Sequence, residues 1–408
     1  MTVYGPNHIF EFAVIGGGMF GSAAARHLVA AGHDVVMLAP PEPDDRATHR
    51  GPFASHHDEA RITRIVDSDP LWSELARASI ERYGEIESES QVTFHHPCGY
   101  LGVGTAAPLP SFAEPGRLDS GAVAGEGYLA ASLRVGEAAG VALETLDAPA
   151  LAERFPALRF NEDERAFLEP APAGYINPRA LVRAQTRIAR NRGVTVLPRT
   201  ALQVTDGIDA VDVLTDTGER VLARRALVAA GAYTNELLVR PLDLRVEART
   251  LLYARLDRTQ RHALADMPSV IHVPAHGPVV YVLPPVTYPD LESYVKIGVD
   301  GWHSPLDTPE AIAAWFRSED GNADEVAAAD RALSAIIPSI AGAPRHTSTC
   351  VYTITASGYP YVGMVSERLA VCVGGNGKGA KSSDEIGRLG ALTVSGGDVD
   401  ERLHPRFA

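Results

Sequence analysis

Residues 12–39, FAVIGGGMFGSAAARHLVAAGHDVVMLA, read as strand, glycine turn, helix and strand. Ala13-Val14-Ile15 is a short apolar run of strand type. Gly16, Gly18 and Gly21 follow as G-x-G-x-x-G, with Met19 and Phe20 in the variable positions. Ser22 to Ala31 is rich in Ala, Leu and Arg and suits a helix, Gly32 ends it, and Val35 to Leu38 is a second buried strand. Gly16 permits the tight turn, Gly18 lets a pyrophosphate approach the backbone, and Gly21 lets helix and strand pack closely. The free N–H groups at the helix start then face the phosphates, whose charge the helix dipole favours. The unit predicts dinucleotide binding. Ala39 stands where such a unit usually carries an acid for the ribose hydroxyls. Either Glu42, just after Pro40-Pro41, reaches back to the ribose, or backbone groups replace the carboxylate.

The chain has 408 residues, too many for one simple core, which points to two domains. Its formal charge of −14 argues against nucleic acid or an anionic membrane as partner. No apolar run reaches the ~18 residues of a membrane span. The N-terminus lacks a basic and apolar leader pattern, so a cytoplasmic protein is expected. Cys98, Cys350 and Cys372 are isolated and form neither a disulfide framework nor a metal site.

Residues 40–60 are loop-like and lead to His56, His57, Arg61 and Arg64; the two arginines would share a face of a helix. Their place directly after the glycine unit favours a role near the cofactor over a solvated basic cluster. Pro70–Ile86 predicts one amphipathic helix. Residues 91–103 are strand-like, and 104–125 suit a loop with one short helix. Pro178 opens a helix that Gly193 stops. A hairpin, 212–214 with 221–223, precedes a separate buried strand at 226–231 that ends in Ala230-Gly231, small enough to lie against a cofactor. Strands dominate 246–299. Leu369–Gly374 runs into GGNGKGAKSSDEIG, a second strand–glycine–helix unit.

Five separated motifs, GGGMFGSAAARHL, SHHDEARITR, LVAAGAYTN, TCVYTIT and GGNGKGAKSS, occur in the order found in the flavin amine oxidases of the D-amino-acid oxidase superfamily. Over nearly its whole length the chain resembles that family, and within it the group of monomeric sarcosine oxidase, N-methyltryptophan oxidase and the fructosyl amino acid oxidases. The resemblance implies an α/β fold: a glutathione-reductase-type FAD-binding Rossmann domain (1–85, 173–240 and 345–408) interleaved with a mixed-sheet substrate domain (86–172 and 241–344). It implies FAD, held by Gly16, Gly18, Met19, Phe20, Gly21, Ala39, Glu42, Ser55, His56, His57, Arg61, Val204, Ala230, Gly231, Gly375, Gly377, Lys378, Gly379 and Lys381. Cys350 matches the cysteine bonded to the flavin, and burial as a small hydrophobe is its alternative. Lys296, in YVKIGVD, matches the lysine that promotes reaction with O2, and a solvent-facing strand lysine is its alternative. Arg64 and Lys381 match the cations that grip a substrate carboxylate. His57, Tyr281 and Tyr352 match residues on the substrate side or beside the flavin. Asp300 replaces the histidine of sarcosine oxidase with an acid, as in the fructosyl amino acid oxidases. The implied reaction oxidises the C–N bond of an amine bearing a carboxylate, with hydride to the flavin, hydrolysis of the imine and reduction of O2 to H2O2. A small amine or amino acid and O2 are the expected partners, and the chain is expected to be a monomer. A dehydrogenase using another acceptor, a glycated-amino-acid oxidase and a non-catalytic flavin-binding protein are the alternatives.

Overall fold

The computed structural model of the protein describes residues 8–105 and 127–408. The loop and helix expected over 104–125 lie almost wholly outside them. Two large sheets carry the described fold.

The core of the first sheet is parallel. Strand Ile9–Ile15 lies between Val35–Leu38 and Arg220–Val228, with Thr195–Leu197 outside Val35–Leu38 and Leu369–Val373 outside Val228. Val35–Leu38, Leu369–Val373 and the strand ends 13–15 and 226–228 are buried apolar runs without polar alternation, as strands covered on both faces require. Helices Met19–Ala30, Pro178–Asn191 and Ser383–Val394 cover one face, where Ala24, Leu28, Ala189, Ile386 and Val394 share a core with Val14 and Met37. Parallel strands end together: Ile15 is level with Leu38 and Val228. In such sheets a ligand binds beyond the carboxyl ends of the strands.

The second sheet is mixed, in the order Arg345–Thr355, Leu244–Arg255, Ser293–Asp300, Val279–Thr287, Ser269–Val273, Tyr100–Gly104, Arg165–Glu169, Glu144–Leu146. Side chains alternate faces along a strand. Val295, Ile297 and Val299, with Val280, Val282, Leu252 and Ala254, pack beneath helix Ala323–Ile336. The opposite face carries Lys296, Gly298, Asp300, Tyr281, Tyr253, Cys350 and Tyr352, in register through Tyr253↔Lys296, Tyr281↔Gly298, Arg249↔Cys350 and Glu247↔Tyr352. The pairing of Arg345–Thr355 puts that segment in the second sheet, whereas Tyr361–Met364 and Leu369–Val373 belong to the first.

Three sequence expectations change. The helix over Pro70–Ile86 is two helices, Pro70–Ile80 and Tyr83–Ser90. The turn between them sends Tyr83 inward, where its hydroxyl donates to the Lys381 carbonyl at 3.1 Å. The runs 221–223 and 226–228 form one strand, Arg220–Val228, and residues 229–231 lie beyond its end, where a short helical segment, Gly231–Leu237, begins. The strand's first half pairs with the hairpin and its second half is buried in the parallel sheet, so Arg224 and Arg225 interrupt the apolar pattern without ending the strand. The region 91–103 holds two strands in different sheets, His95–His96 and Tyr100–Gly104, parted by Pro97-Cys98-Gly99 with Gly99 at φ +85°. Among the described residues no helix is long and apolar enough to cross a membrane.

Candidate active site

A cavity of about 1020 Å³ lies between the ends of the first sheet and the bare face of the second. Ordinary small-molecule sites run to ~1,000 Å³, so this one suits a large ligand.

Its floor is the glycine turn. Gly16 has φ +112°, and a Cβ there would meet the Ala229 carbonyl oxygen at 2.4 Å. A Cβ on Gly21 would lie 1.8 Å from the Gly16 oxygen, so this glycine is what lets the helix sit on the strand. Helix Met19–Ala30 starts at Gly18 with no side-chain cap and no acid in its first turn. Its first N–H groups are therefore left for an anion. Gly16, Gly18, Met19, Phe20, Ala230 and Gly231 line this end. Gly375, Gly377, Lys378, Gly379 and Lys381 line another wall from the turn before helix Ser383–Val394, with Gly374 and Gly377 at φ +94° and +72°.

The roof brings Tyr281, Asp300, Cys350 and Tyr352 to the same cavity. Tyr281 lies across Gly298, where a Cβ would come within 2.4 Å of its ring. Burial holds the Tyr281 hydroxyl protonated well beyond the usual phenol range, and burial with the Asp300 charge pushes Tyr352 up to about 12. Both are hydrogen-bond donors at neutral pH. The Arg249 guanidinium stands 4.6 Å over the Tyr352 ring. Cys350 is buried; the Arg61 Nη2 donates to its sulfur at 3.5 Å and to the Ser55 carbonyl at 3.1 Å. Ser55 in turn donates to the Val351 carbonyl at 2.9 Å. His56 and His57 also line the cavity, and burial pushes each imidazole down to about 3, so both are neutral.

Arg64, Lys378 and Lys381 form a cation cluster on the cavity wall. Behind them lies Asp67, 1% exposed. Its Oδ1 accepts from Lys378 Nζ at 2.9 Å, and its Oδ2 from Lys381 Nζ at 2.9 Å and Arg64 Nη1 at 3.0 Å. Burial acts against the Asp67 charge, but the lysines and Arg64 outweigh it and hold its carboxyl well below the usual range. Arg64 also donates to the Val66 carbonyl and stands 4.9 Å over the Tyr100 ring. Burial pushes Lys381 down to about 7 despite Asp67.

Five residues singled out from the sequence are not on the cavity wall. Gly21 packs behind it, and Ala39 sits against Gly17, where a Cβ would meet its side chain at 2.3 Å. The Glu42 carboxylate is taken by Arg179, at 2.7 and 2.9 Å. Val204 is in the core beneath the first sheet, while Thr200, Ala201 and Leu202 reach the cavity. Lys296 is 1% exposed; its Nζ donates to Asp58 Oδ2 at 2.6 Å and to the Ala60 carbonyl. Burial and the nearby Arg61 charge push it well below the usual lysine range. Asp58 also bonds Arg61, and its Oδ1 accepts from Tyr288 at 3.0 Å. Sequence reasoning missed Asp58, Asp67 and Arg249. Asp67 sits three residues after Arg64 and two before Asp69, the N-cap of helix Pro70–Ile80, but neither spacing announces a counter-ion.

The profile of the FAD dependent oxidoreductase (DAO) family matches residues 11–392, and the chain belongs to that family. It is 28% identical over 403 residues to a monomeric sarcosine oxidase of Streptomyces avermitilis, covering 95% of this chain and 94% of that protein. It is 25% identical over 244 residues to an N-methyl-L-tryptophan oxidase of Yersinia pestis (strain Pestoides F), covering 56% of this chain and 55% of that protein. Among solved structures it is similar to NikD, an unusual amino acid oxidase essential for nikkomycin biosynthesis, in its open form. That match has a TM-score of 0.78 at 22% identity over 98% of both chains. The protein is thus an FAD-dependent oxidoreductase with a Rossmann-type α/β fold. The site fits the cofactor: the uncapped helix start and the Gly16–Gly18 turn suit a pyrophosphate, the cavity has room for a dinucleotide, and Ser55, His56, His57, Arg61 and Cys350 line the same cavity.

Proposed function

We propose that the protein oxidises a C–N bond in a small amine that carries a carboxylate, an N-methyl amino acid or a related amino acid, with O2 as electron acceptor and H2O2 as product. The observation that carries this reading is the placing of a cation cluster, Arg64, Lys378 and Lys381, and an acid, Asp300, on one cavity with the glycine turn. Cations suit a carboxylate and an acid suits an ammonium, so the pair can orient a zwitterion. The bound flavin supplies the two-electron oxidation. The chain's part is to bind, align and desolvate: Arg64 and Lys381 hold the carboxylate, Asp300 holds the nitrogen end, and Tyr281 and Tyr352 donate hydrogen bonds from above. Cys350 lines the cavity with its sulfur 3.5 Å from Arg61 Nη2, and this place on the cavity wall supports covalent attachment of the flavin there.

The test is anaerobic bleaching of the yellow holoenzyme by a panel of N-methyl, unmethylated and glycated amino acids, followed by oxygen uptake. Bleaching by none of them, in protein that carries its FAD, counts against amine oxidation. One observation favours a second reading, a dehydrogenase with another acceptor: the Lys296 ammonium is engaged by Asp58 rather than exposed on the cavity. Fast bleaching with slow oxygen uptake and fast reduction of an artificial dye would select it.

A further inference from the structure

Three cations on one buried wall are an electrostatic problem. Charges ~4 Å apart in a protein interior repel strongly, and each also loses its hydration. Arg64, Lys378 and Lys381 are all at least nine-tenths buried. They come from the end of strand Arg61–Thr63 and from the turn before helix Ser383–Val394, more than 300 residues apart. What they share is Asp67.

We propose that Asp67 is a positioning residue: its carboxylate, bonded to all three cations from behind, aims them into the cavity and keeps the two lysine ammoniums available to a ligand's carboxylate. The placing supports this. Asp67 is fully enclosed and does not itself line the cavity, whereas the three cations bonded to it do. Its Oδ1 also accepts from the Asp69 N–H at 3.2 Å, and Asp69 caps helix Pro70–Ile80 through the Trp72 N–H at 3.1 Å. The carboxylate is therefore fixed on a rigid element, and Lys378 lies 5.9 Å over the Trp72 ring. With one anion and three cations the cluster retains a net positive charge toward the ligand. It behaves as a pre-paired anion site, not as a set of loose cations that the ligand must order.

The charge state of Lys381 gives this a readout. Facing the cluster are Arg64, Lys378 and Asp67; Tyr100 and Tyr128, hydrogen-bonded to each other beside Arg64; Glu169, whose carboxylate accepts from the Ile65 and Val66 N–H groups; and Asp69 with Tyr359. Burial brings Lys381 down to about 7, with Asp67 raising it and Arg64 and Lys378 lowering it further. Protonated Lys381 attracts a carboxylate, so binding is strong below that value and weakens as the pH rises through it. Removing the Asp67 charge takes away the raising influence.

This inference rests on the reading of the cluster as the ligand's anion site, and the experiment separates the two. Holoenzyme is titrated calorimetrically with phenylacetate, a simple monocarboxylate, from pH 4.5 to 10.5. Affinity in the parent is expected to break near 7. In Asp67→Asn the break is expected to move down by about 1–3 units, the usual effect of losing one close opposite charge. A merely structural role predicts the reverse: loosening would hydrate Lys381 and move the break up toward the ordinary lysine value of about 10.4. A break that stays or rises overturns the proposal. Asp67→Glu keeps the charge and is expected to hold the break within about half a unit of the parent. If Asp67→Asn does not fold, a folded Asp67→Glu whose break has moved further overturns the proposal. Lys381→Met is expected to abolish the break; if it leaves phenylacetate binding and its pH profile unchanged, the anion-site reading fails first and the Asp67 proposal with it.

Discussion

At the scale of single residues, chemistry follows from neighbours more than from residue type. His56 and His57 would titrate near 6.5 in water, yet burial makes both neutral throughout the physiological range. Substituting His57 by Gln should therefore leave the pH break in carboxylate binding near 7, which we assign to Lys381; its disappearance would assign the break to the histidine. Asp300 lines the cavity, and in the proposed function it holds the nitrogen end of the ligand. Asp300→Asn should raise KM for a zwitterionic amine roughly 30-fold, equivalent to about 2 kcal/mol for one charge-assisted bond, with a smaller effect on kcat. A kcat loss at unchanged KM would show that Asp300 acts elsewhere. For Cys350, acid precipitation decides: the parent should keep its yellow colour in the pellet and Cys350→Ser should release it to the supernatant. Colour released from the parent removes the covalent linkage. Gly16, Gly18, Arg64, Cys350, Lys381 and Asp300, all singled out from sequence motifs, meet on one cavity. Asp58 and Asp67 were not singled out: each pairs with an arginine three residues away, but the lysines that share them come from segments more than 200 residues distant.

At the scale of elements, the strand–glycine–helix unit was read almost whole, since its periodicities and glycine spacing are local. Its weakest point is Gly21, where a Cβ would sit 1.8 Å from the Gly16 oxygen. Gly21→Ala should push the helix off the strand, destabilise the protein by about 1–3 kcal/mol in urea unfolding, and lower the FAD retained on purification. Full retention at parental stability would mean that the helix can slide without cost. The roof strand Ser293–Asp300 shows what a pattern can hide. It is buried on both faces, so nothing in YVKIGVD distinguishes the core side from the site side. Pairing to Val279–Thr287 and Leu244–Arg255 makes the choice, putting Lys296 and Asp300 on the site face and Val295, Ile297 and Val299 in the core. The helix break at Glu81–Arg82 was equally invisible, because its reason is tertiary: it carries Arg82 to Asp384 and Tyr83 to the Lys381 turn.

At the scale of the whole molecule, one buried carboxylate ties the helices of the first domain together. Asp384, at the start of the last long helix, bonds Arg26 at 2.7 Å, Arg82 at 2.5 Å and Gln185 at 2.8 Å, from three other helices or their ends. Burial opposes its charge, but His27, Arg26 and Arg82 hold its carboxyl far below the usual range. Its contribution to stability is thus complete above the unfolded value of about 3.9 and is lost as the pH falls below that toward the folded value. Asp384→Asn should cost about 3–5 kcal/mol in urea unfolding at pH 7, because it leaves buried arginines without their partner. A loss under about 1 kcal/mol would show that water replaces the carboxylate freely. The sequence by itself determined the strand–glycine–helix unit and the kinds of side chain brought to the cavity, because spacing and periodicity are properties of short stretches. Only the tertiary structure decided which carboxylates answer which cations, because Asp58 meets Lys296, Asp67 meets Lys381 and Asp384 meets Arg26 through contacts between segments hundreds of residues apart, and no local pattern encodes such a meeting.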